Sequence, residues 1–136
     1  MRNIVNALFV QDGMILLVRR SLDRSAYPGL WSFPGGHRER QETLAEALVR
    51  EVQEEITVTP TSFALLGTIA DPNTPATDPV TYHMYAVTAW DGGEPALSGD
   101  EHSEFRWFTP AAASDLPDLA LEEYRRLFNR ISENRT

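Results

Sequence analysis

The sequence predicts an α/β fold in which a mixed β-sheet lies between helices. Helical periodicity appears once in the middle of the chain and again at its end. The remaining apolar stretches are short, rich in β-branched and aromatic residues, and separated by turn-forming clusters. Strands interrupted by two amphipathic helices need a sheet with helices on both faces to bury all their apolar sides.

Residues 4–10 and 14–18 are apolar stretches separated by Gln11-Asp12-Gly13, and an Asp-Gly pair suits the positive backbone angles of a tight hairpin turn. Periodicity lapses over residues 19–30, where Pro28-Gly29 marks a loop. A short Trp31-Ser32-Phe33 run follows, and Pro34-Gly35-Gly36 breaks the chain again in a tighter loop. Thr43 starts a helix through a capping box with Glu46, and Ala45, Leu48, Val49, Val52 and Ile56 keep helical spacing to about residue 56. Residues 63–70 and 80–90 read as strands, and the three prolines within 71–79 keep the intervening loop unpaired. A polar stretch runs from Asp91-Gly92-Gly93 to Ser103, followed by a short strand at 105–108. Leu119, Tyr124, Leu127, Phe128 and Ile131 form one stripe of a C-terminal helix.

Size and composition bound the function. With 136 residues, 42% of them hydrophobic, the chain is expected to form a single domain over residues 1–136. Twelve Lys and Arg against twenty Asp and Glu give a net charge of −8, so the counterion release that drives binding to duplex nucleic acid is not open to it. A polyanionic substrate would need divalent cations to reach such a surface. The chain has no cysteine, which excludes disulfides, thiolate metal sites and a cysteine nucleophile and is compatible with a reducing, cytoplasmic location. No apolar run approaches the roughly 18–20 residues that span a bilayer, and the N-terminal segment has no signal-peptide pattern, so no membrane association is expected.

The central helix carries the chemistry. At about 100° per residue, Glu54 and Glu55 fall about 60° and 40° to either side of Glu51, so three carboxylates share one face. They border the apolar stripe, and Glu55, beside Leu48, is expected to be the most buried. Like charges at this spacing repel, and half-buried carboxylates are costly unless something positive lies among them. Hard oxygen ligands favour Mg²⁺, with Mn²⁺ as an alternative. Arg50, one turn before Glu54, can fix a carboxylate's rotamer.

Gly36, Glu42, Arg50, Glu51, Glu54 and Glu55 stand at the spacing Gly, five residues, Glu, seven residues, Arg-Glu, an aliphatic, any residue, Glu-Glu. This resembles the signature of Nudix hydrolases. Thr57 occupies the place where that signature usually has Gly, which predicts an altered turn after the helix, because a β-branched residue takes the left-handed conformation only with strain. The lead-in Leu30-Trp31-Ser32-Phe33-Pro34-Gly35-Gly36 also resembles the family's, and the family's α/β/α sandwich around a mixed sheet matches the order of elements.

The resemblance implies hydrolysis of a nucleoside diphosphate linked to another moiety, with water attacking phosphorus and divalent metals shielding the charge. Carried over by position, it makes Glu51, Glu54 and Glu55 metal ligands, joined by the Gly35 carbonyl. The base is Glu51 or a glutamate outside the box. Glu101, six residues before Trp107, is the candidate for a further ligand or base, with Glu104 behind it. Arg19 and Arg20 stand where relatives use basic groups against phosphate or base. On a strand they point to opposite faces, which favours one of them, Arg20, for the cleft. Phe33, Tyr27 and Trp31 can stack on a base or pack the core, and His37, His83 and His102 show no ligand spacing. The leading expectation is a nucleoside triphosphate pyrophosphohydrolase. Hydrolysis of ADP-ribose or a nucleotide sugar is the second, and a module that senses a nucleotide without cleaving it is the third. A homodimer is compatible with the resemblance.

Overall fold

Strand β1 (Arg2–Gln11) turns back into β2 (Met14–Arg20) through Asp12 and Gly13, which take φ of 52° and 77°, the positive angles the Asp-Gly pair predicts. The computed structural model describes residues 2–133. After this hairpin come β3 (Trp31–Ser32), β4 (Gly35–His37), α1 (Leu44–Ile56), β5 (Thr59–Ala70), β6 (Val80–Asp91), β7 (His102–Phe108), α2 (Pro110–Ser114) and α3 (Tyr124–Glu133).

The sheet branches at β1. Near the turn β1 pairs antiparallel with β2, through Val10 with Ile15 and Gln11 with Met14. Further along, the same edge pairs antiparallel with β4 (Ile4 with His37, Asn6 with Gly35), while the other edge runs parallel to β6 from Arg2 to Phe9. β2 pairs antiparallel with β3 and β7, and β5 closes the far edge antiparallel to β6. The order is β3-β2-β1-β6-β5, a mixed sheet as expected.

Side-chain alternation along the strands makes two cores. Val5, Ala7 and Phe9 of β1 face α1, meeting Leu48, Val52 and Ile56 together with Leu16 and Val87. Leu8 of β1 and Ile15 and Leu17 of β2 face the other way, onto Met84 and the α3 residues Tyr124, Leu127, Phe128 and Ile131. Each fully buried Leu, Ile or Phe contributes about 1.5–3 kcal/mol, so the two layers hold both helices against the sheet.

Several boundaries differ from the sequence reading. β4 is a strand where a loop is expected, because the Pro34-Gly35-Gly36 backbone lies close enough to β1 to pair with it. β5 begins at Thr59 and β7 at His102, both earlier than local propensity suggests, because pairing with β6 and β2 extends them. Two irregularities between Pro60 and Phe63 accommodate the proline, and a third lies between Leu65 and Gly67. Leu119 precedes α3 and bridges to Trp31 instead of lying on the helix stripe. Ala45 is exposed and Ala47 takes its place in the core. The short helix α2 is new, started by the Thr109 side chain capping the Ala112 N–H ahead of Pro110.

Candidate active site

Helix α1 is fixed at both ends. Thr43 and Glu46 form the capping box at its start. At its end Thr57 takes φ 68° and ψ 13°, the left-handed cap that Gly ordinarily supplies, and its N–H donates to the Gln53 carbonyl. The altered turn expected at Thr57 is therefore not found: this β-branched residue takes the usual left-handed cap.

Arg50 gathers the acids on the outer side of the helix. Its Nε and Nη2 donate to the two oxygens of Glu42 at 2.6 and 2.9 Å, and Nη2 also donates to the His37 carbonyl at 3.1 Å. Nη1 donates to Glu51 at 2.9 Å and reaches Glu54 at 3.4 Å. This forked geometry sets the Glu51 rotamer. Hydrogen bonds from Arg50 and from the Glu39 N–H hold Glu42 down to about 2. The three helix carboxylates do not share one environment: Glu54 is 59% exposed, whereas Glu51 is largely covered. Burial raises Glu51 above its ordinary value, against the opposing effect of Arg50.

Glu55 turns inward, 5% exposed, and accepts the Gly35 N–H at 2.7 Å. Gly36 lies against Glu51. The backbone of β4 thus floors both carboxylates, and neither glycine leaves space for a side chain: a Cβ on Gly35 would sit 1.9 Å from the Val5 carbonyl oxygen, and one on Gly36 would sit 2.5 Å from the Glu51 carboxyl carbon.

Glu101 comes from the loop before β7. That loop is tied to the end of α1, where the Ala96 and Ser98 N–H groups donate to the Ile56 and Glu55 carbonyls at 3.1 and 2.8 Å. The Ser21 N–H donates to the Glu101 carbonyl at 3.0 Å and its hydroxyl to the Asp100 carbonyl at 2.7 Å. Arg24 pairs with the Glu101 carboxylate at 3.4 Å. Glu55, Glu101 and His102 each place a potential ligand atom within 4.8 Å of the others. Burial pushes Glu55 up to about 9 against the Gly35 hydrogen bond, and Glu101 adds to the rise. Burial alone would raise Glu101 as well, but its hydrogen bond with Glu55 and the charge of Arg24 outweigh this and leave it below its ordinary value. The two carboxyls are thus pushed in opposite directions, Glu55 up and Glu101 down. Burial and then Arg20 bring His102 down to about 4, leaving a neutral imidazole. Spacing in the sequence does not reveal His102, since Glu101 precedes it directly but Glu55 comes from α1, 47 positions earlier.

A cavity of about 410 Å³ opens beside this floor, lined by Gly35, Gly36, Arg20, Arg24, Tyr27 and the loop residues Asp71, Asn73 and Thr74, among others. Arg20 lines it, with its Nε held by the Ala26 carbonyl at 2.7 Å, and has no carboxylate partner among the described residues. Arg19 does not line it. Arg19 bonds Glu104, Asp118 and the Gly29 carbonyl and lies over Trp31, so its expected contact with substrate is replaced by a structural one. Glu104 is likewise taken up by Arg19 and Arg106. Phe33 borders the cavity but is buried against Tyr124 and Phe128, which makes it a core residue. Tyr27, Tyr82 and the Asn73 N–H donate to the buried Asp71 carboxylate at 2.7–2.9 Å, locking the two loops that border the cavity.

The donor set fits a hard divalent cation. Glu55 is a buried carboxylate with no positive side chain bonded to it among the described residues, and Glu51 and Glu101 lie close by. Glu51, Glu55 and Glu101 would hold the ion, with the exposed Glu54 able to join them.

A profile of the NUDIX domain matches residues 1–131. The chain is 33% identical over 120 residues to an ADP-ribose pyrophosphatase of Methanocaldococcus jannaschii, covering 87% of this chain and 66% of that protein, just under two thirds of its length. It is 32% identical over 119 residues to a CTP pyrophosphohydrolase of Escherichia coli K12, covering 86% of this chain and 82% of the relative. Among solved structures it resembles a MutT NUDIX hydrolase from Burkholderia pseudomallei, with a TM-score of 0.80 and 28% identity over 94% of this chain and 95% of that one. With the profile spanning nearly its whole length and the carboxylates of the signature gathered at one site, this chain belongs to the NUDIX domain family.

Proposed function

We propose that the protein is a Mg²⁺-dependent pyrophosphohydrolase acting on a nucleoside triphosphate or a similar small nucleotide. The observation that carries this reading is the convergence of Glu51, Glu55 and Glu101 on the Gly35–Gly36 floor of a base-sized cavity. The nucleoside occupies the cavity, the phosphates extend across the β4 backbone toward the carboxylates, and the unpaired guanidinium of Arg20 takes a phosphate oxygen. Arg50 keeps the Glu51 carboxylate in position throughout. A water's oxygen forms a bond to phosphorus as the bridging P–O bond breaks, and the water's proton passes to Glu101 or Glu51. The bound cation, Mg²⁺ or Mn²⁺, would neutralise the phosphate oxygens and lower the pKa of the water. The Gly35 carbonyl is a further candidate ligand in this arrangement. No helix among the described residues is long and apolar enough to cross a membrane.

The archaeal relative favours a second reading, cleavage of ADP-ribose or a nucleotide sugar. Orthophosphate, pyrophosphate and sugar-phosphate release from a panel of nucleoside triphosphates and nucleotide sugars separates the two. Turnover should require Mg²⁺ or Mn²⁺ and vanish in Glu55→Gln. A panel without turnover, in a protein that still binds the cation, would reject catalysis and leave a nucleotide sensor.

A further inference from the structure

We infer that Arg24 is a placeholder for the cation and a clamp for the substrate: its guanidinium neutralises Glu101 until a divalent ion takes that carboxylate, and it then passes to a phosphate oxygen. This rests on the cation-dependent reading of the same site. Arg24 Nη1 lies 3.4 Å from Glu101 Oε2, with the two side chains 34% and 51% exposed. An ion pair so exposed adds little stability by itself. Its importance lies in its place, because Glu101 also holds a carboxylate oxygen within 4.8 Å of potential ligand atoms on Glu55 and His102. One carboxylate therefore faces both the ligand group and a guanidinium.

The backbone builds this contact. Ser21 is bonded to the Glu101 and Asp100 carbonyls, and the Arg24 N–H donates to the Ser21 carbonyl at 3.2 Å, so a turn anchored on Glu101 carries Arg24. Arg24 has no other carboxylate partner among the described residues, and it lines the cavity together with Arg20, Gly35 and Gly36. Burial and then the charge of Arg24 hold Arg20 below its ordinary value, so the two guanidiniums stand close enough to repel. A phosphate accepting from both removes that repulsion, and each guanidinium has N–H donors to spare for its oxygens. The single charge of Glu101 cannot neutralise a guanidinium and a divalent ion at once, so the two compete for it. A phosphate in the cavity gives Arg24 another partner and ends the competition. Cation and phosphate thus strengthen each other's binding, and part of that coupling passes through Arg24.

The test is titration of the full chain with Mn²⁺ alone, followed by electron paramagnetic resonance, and calorimetric titration with inorganic phosphate in the absence and presence of Mg²⁺. Arg24→Gln should bind Mn²⁺ about three- to tenfold tighter than the unsubstituted protein, because a positive charge has left the ligand group. Arg24→Lys, which keeps the charge, should stay within about twofold of the unsubstituted protein. Mg²⁺ should strengthen phosphate binding in the unsubstituted protein, and Arg24→Gln should reduce that enhancement by at least about threefold. Arg20→Gln removes a guanidinium that bonds no carboxylate among the described residues, so it should weaken phosphate binding but tighten Mn²⁺ less than Arg24→Gln does. Unchanged or weaker Mn²⁺ binding in Arg24→Gln, an undiminished enhancement, or equal tightening in Arg20→Gln would overturn the inference and leave Arg24 and Glu101 an ordinary surface pair. The two Arg24 variants decide the matter even where Arg20→Gln fails to fold. Competition in a protein that hydrolyses nothing would keep this inference and reject the hydrolase, and metal-dependent hydrolysis with Mn²⁺ affinity untouched by Arg24→Gln would do the reverse.

Discussion

Gly36 and Glu51 occupy space that only a glycine can leave open: a β-carbon on Gly36 would lie 2.5 Å from the carboxyl carbon of Glu51. The atoms it would meet are the far end of a side chain, which can move aside. At Gly35 the clash is with the Val5 carbonyl at 1.9 Å, part of the backbone pairing of β1 with β4, which cannot. Two neighbouring substitutions therefore separate function from folding. Gly36→Ala should fold with a thermal midpoint within a few degrees of the unsubstituted protein yet lose about 10²-fold in kcat/KM, as expected of a carboxylate displaced by about 1 Å. Gly35→Ala should lose about 3 kcal/mol or more of stability in denaturant unfolding. Equal damage from both would show that Glu51 does not depend on its nest against Gly36.

The second prediction concerns Glu55, raised to about 9 by burial from an ordinary 4.5. Its folded form holds a proton that the unfolded chain has already released. The associated stability is complete below the ordinary value and is lost as pH rises toward about 9. The metal-free protein should thus unfold at progressively lower temperature between about pH 5 and pH 9, and Glu55→Gln should flatten that slope. A cation needs the carboxylate free of its proton, so Mg²⁺ binding at neutral pH should release a proton. Calorimetry in two buffers of different ionisation enthalpy measures that release directly. Binding without proton release would remove Glu55 from the ligand set.

Glu42 shows the opposite sign. Its pairing with Arg50 holds it at about 2, so its contribution is present above the ordinary carboxylate range and disappears as pH falls toward 2. The thermal midpoints of Glu42→Gln and the unsubstituted protein should differ most above about pH 5 and converge in acid. The same variant frees Arg50 to bind Glu51 or Glu54 in another geometry, so kcat/KM should fall several-fold at pH 7. A constant difference across the acid range would mean that the pair adds nothing to stability.

These residues also show what a linear sequence can reveal. The α1 box is legible because its spacing is local: the capping box, the helical repeat and the positions of Glu51, Glu54 and Glu55 all follow from 3.6 residues per turn. The wheel identifies Glu55 as the buried acid, but it does not separate Glu51 from Glu54, because that depends on where β4 and Arg50 lie. Pairing across long separations is silent in the sequence. Asn6 reads as an ordinary strand residue until Phe33, 27 positions later, is brought beside it to accept its amide N–H, and His102 has no neighbour in sequence that hints at Glu55. Arg19 and Arg20 are alike as letters, and only the opposed faces of β2 send one to Asp118 and the other to the cavity.

Thr57 supplies the last prediction, because the sequence marks it as the departure from the signature and the structure gives it the glycine conformation regardless. At φ 68° a side chain bearing two branches at Cβ is strained, by about 1–2 kcal/mol relative to the right-handed region. Glycine would relieve that strain but would lose about 0.5–1 kcal/mol to the greater freedom of its unfolded chain. Thr57→Gly should therefore gain about 0.5–1 kcal/mol, seen as a higher urea midpoint with an unchanged slope. Activity should be unaffected, since Thr57 is exposed and its N–H to Gln53 is kept. A lower midpoint would mean that the threonine side chain stabilises the helix end by more than its backbone strain costs, and that the departure from glycine is an adaptation of this chain.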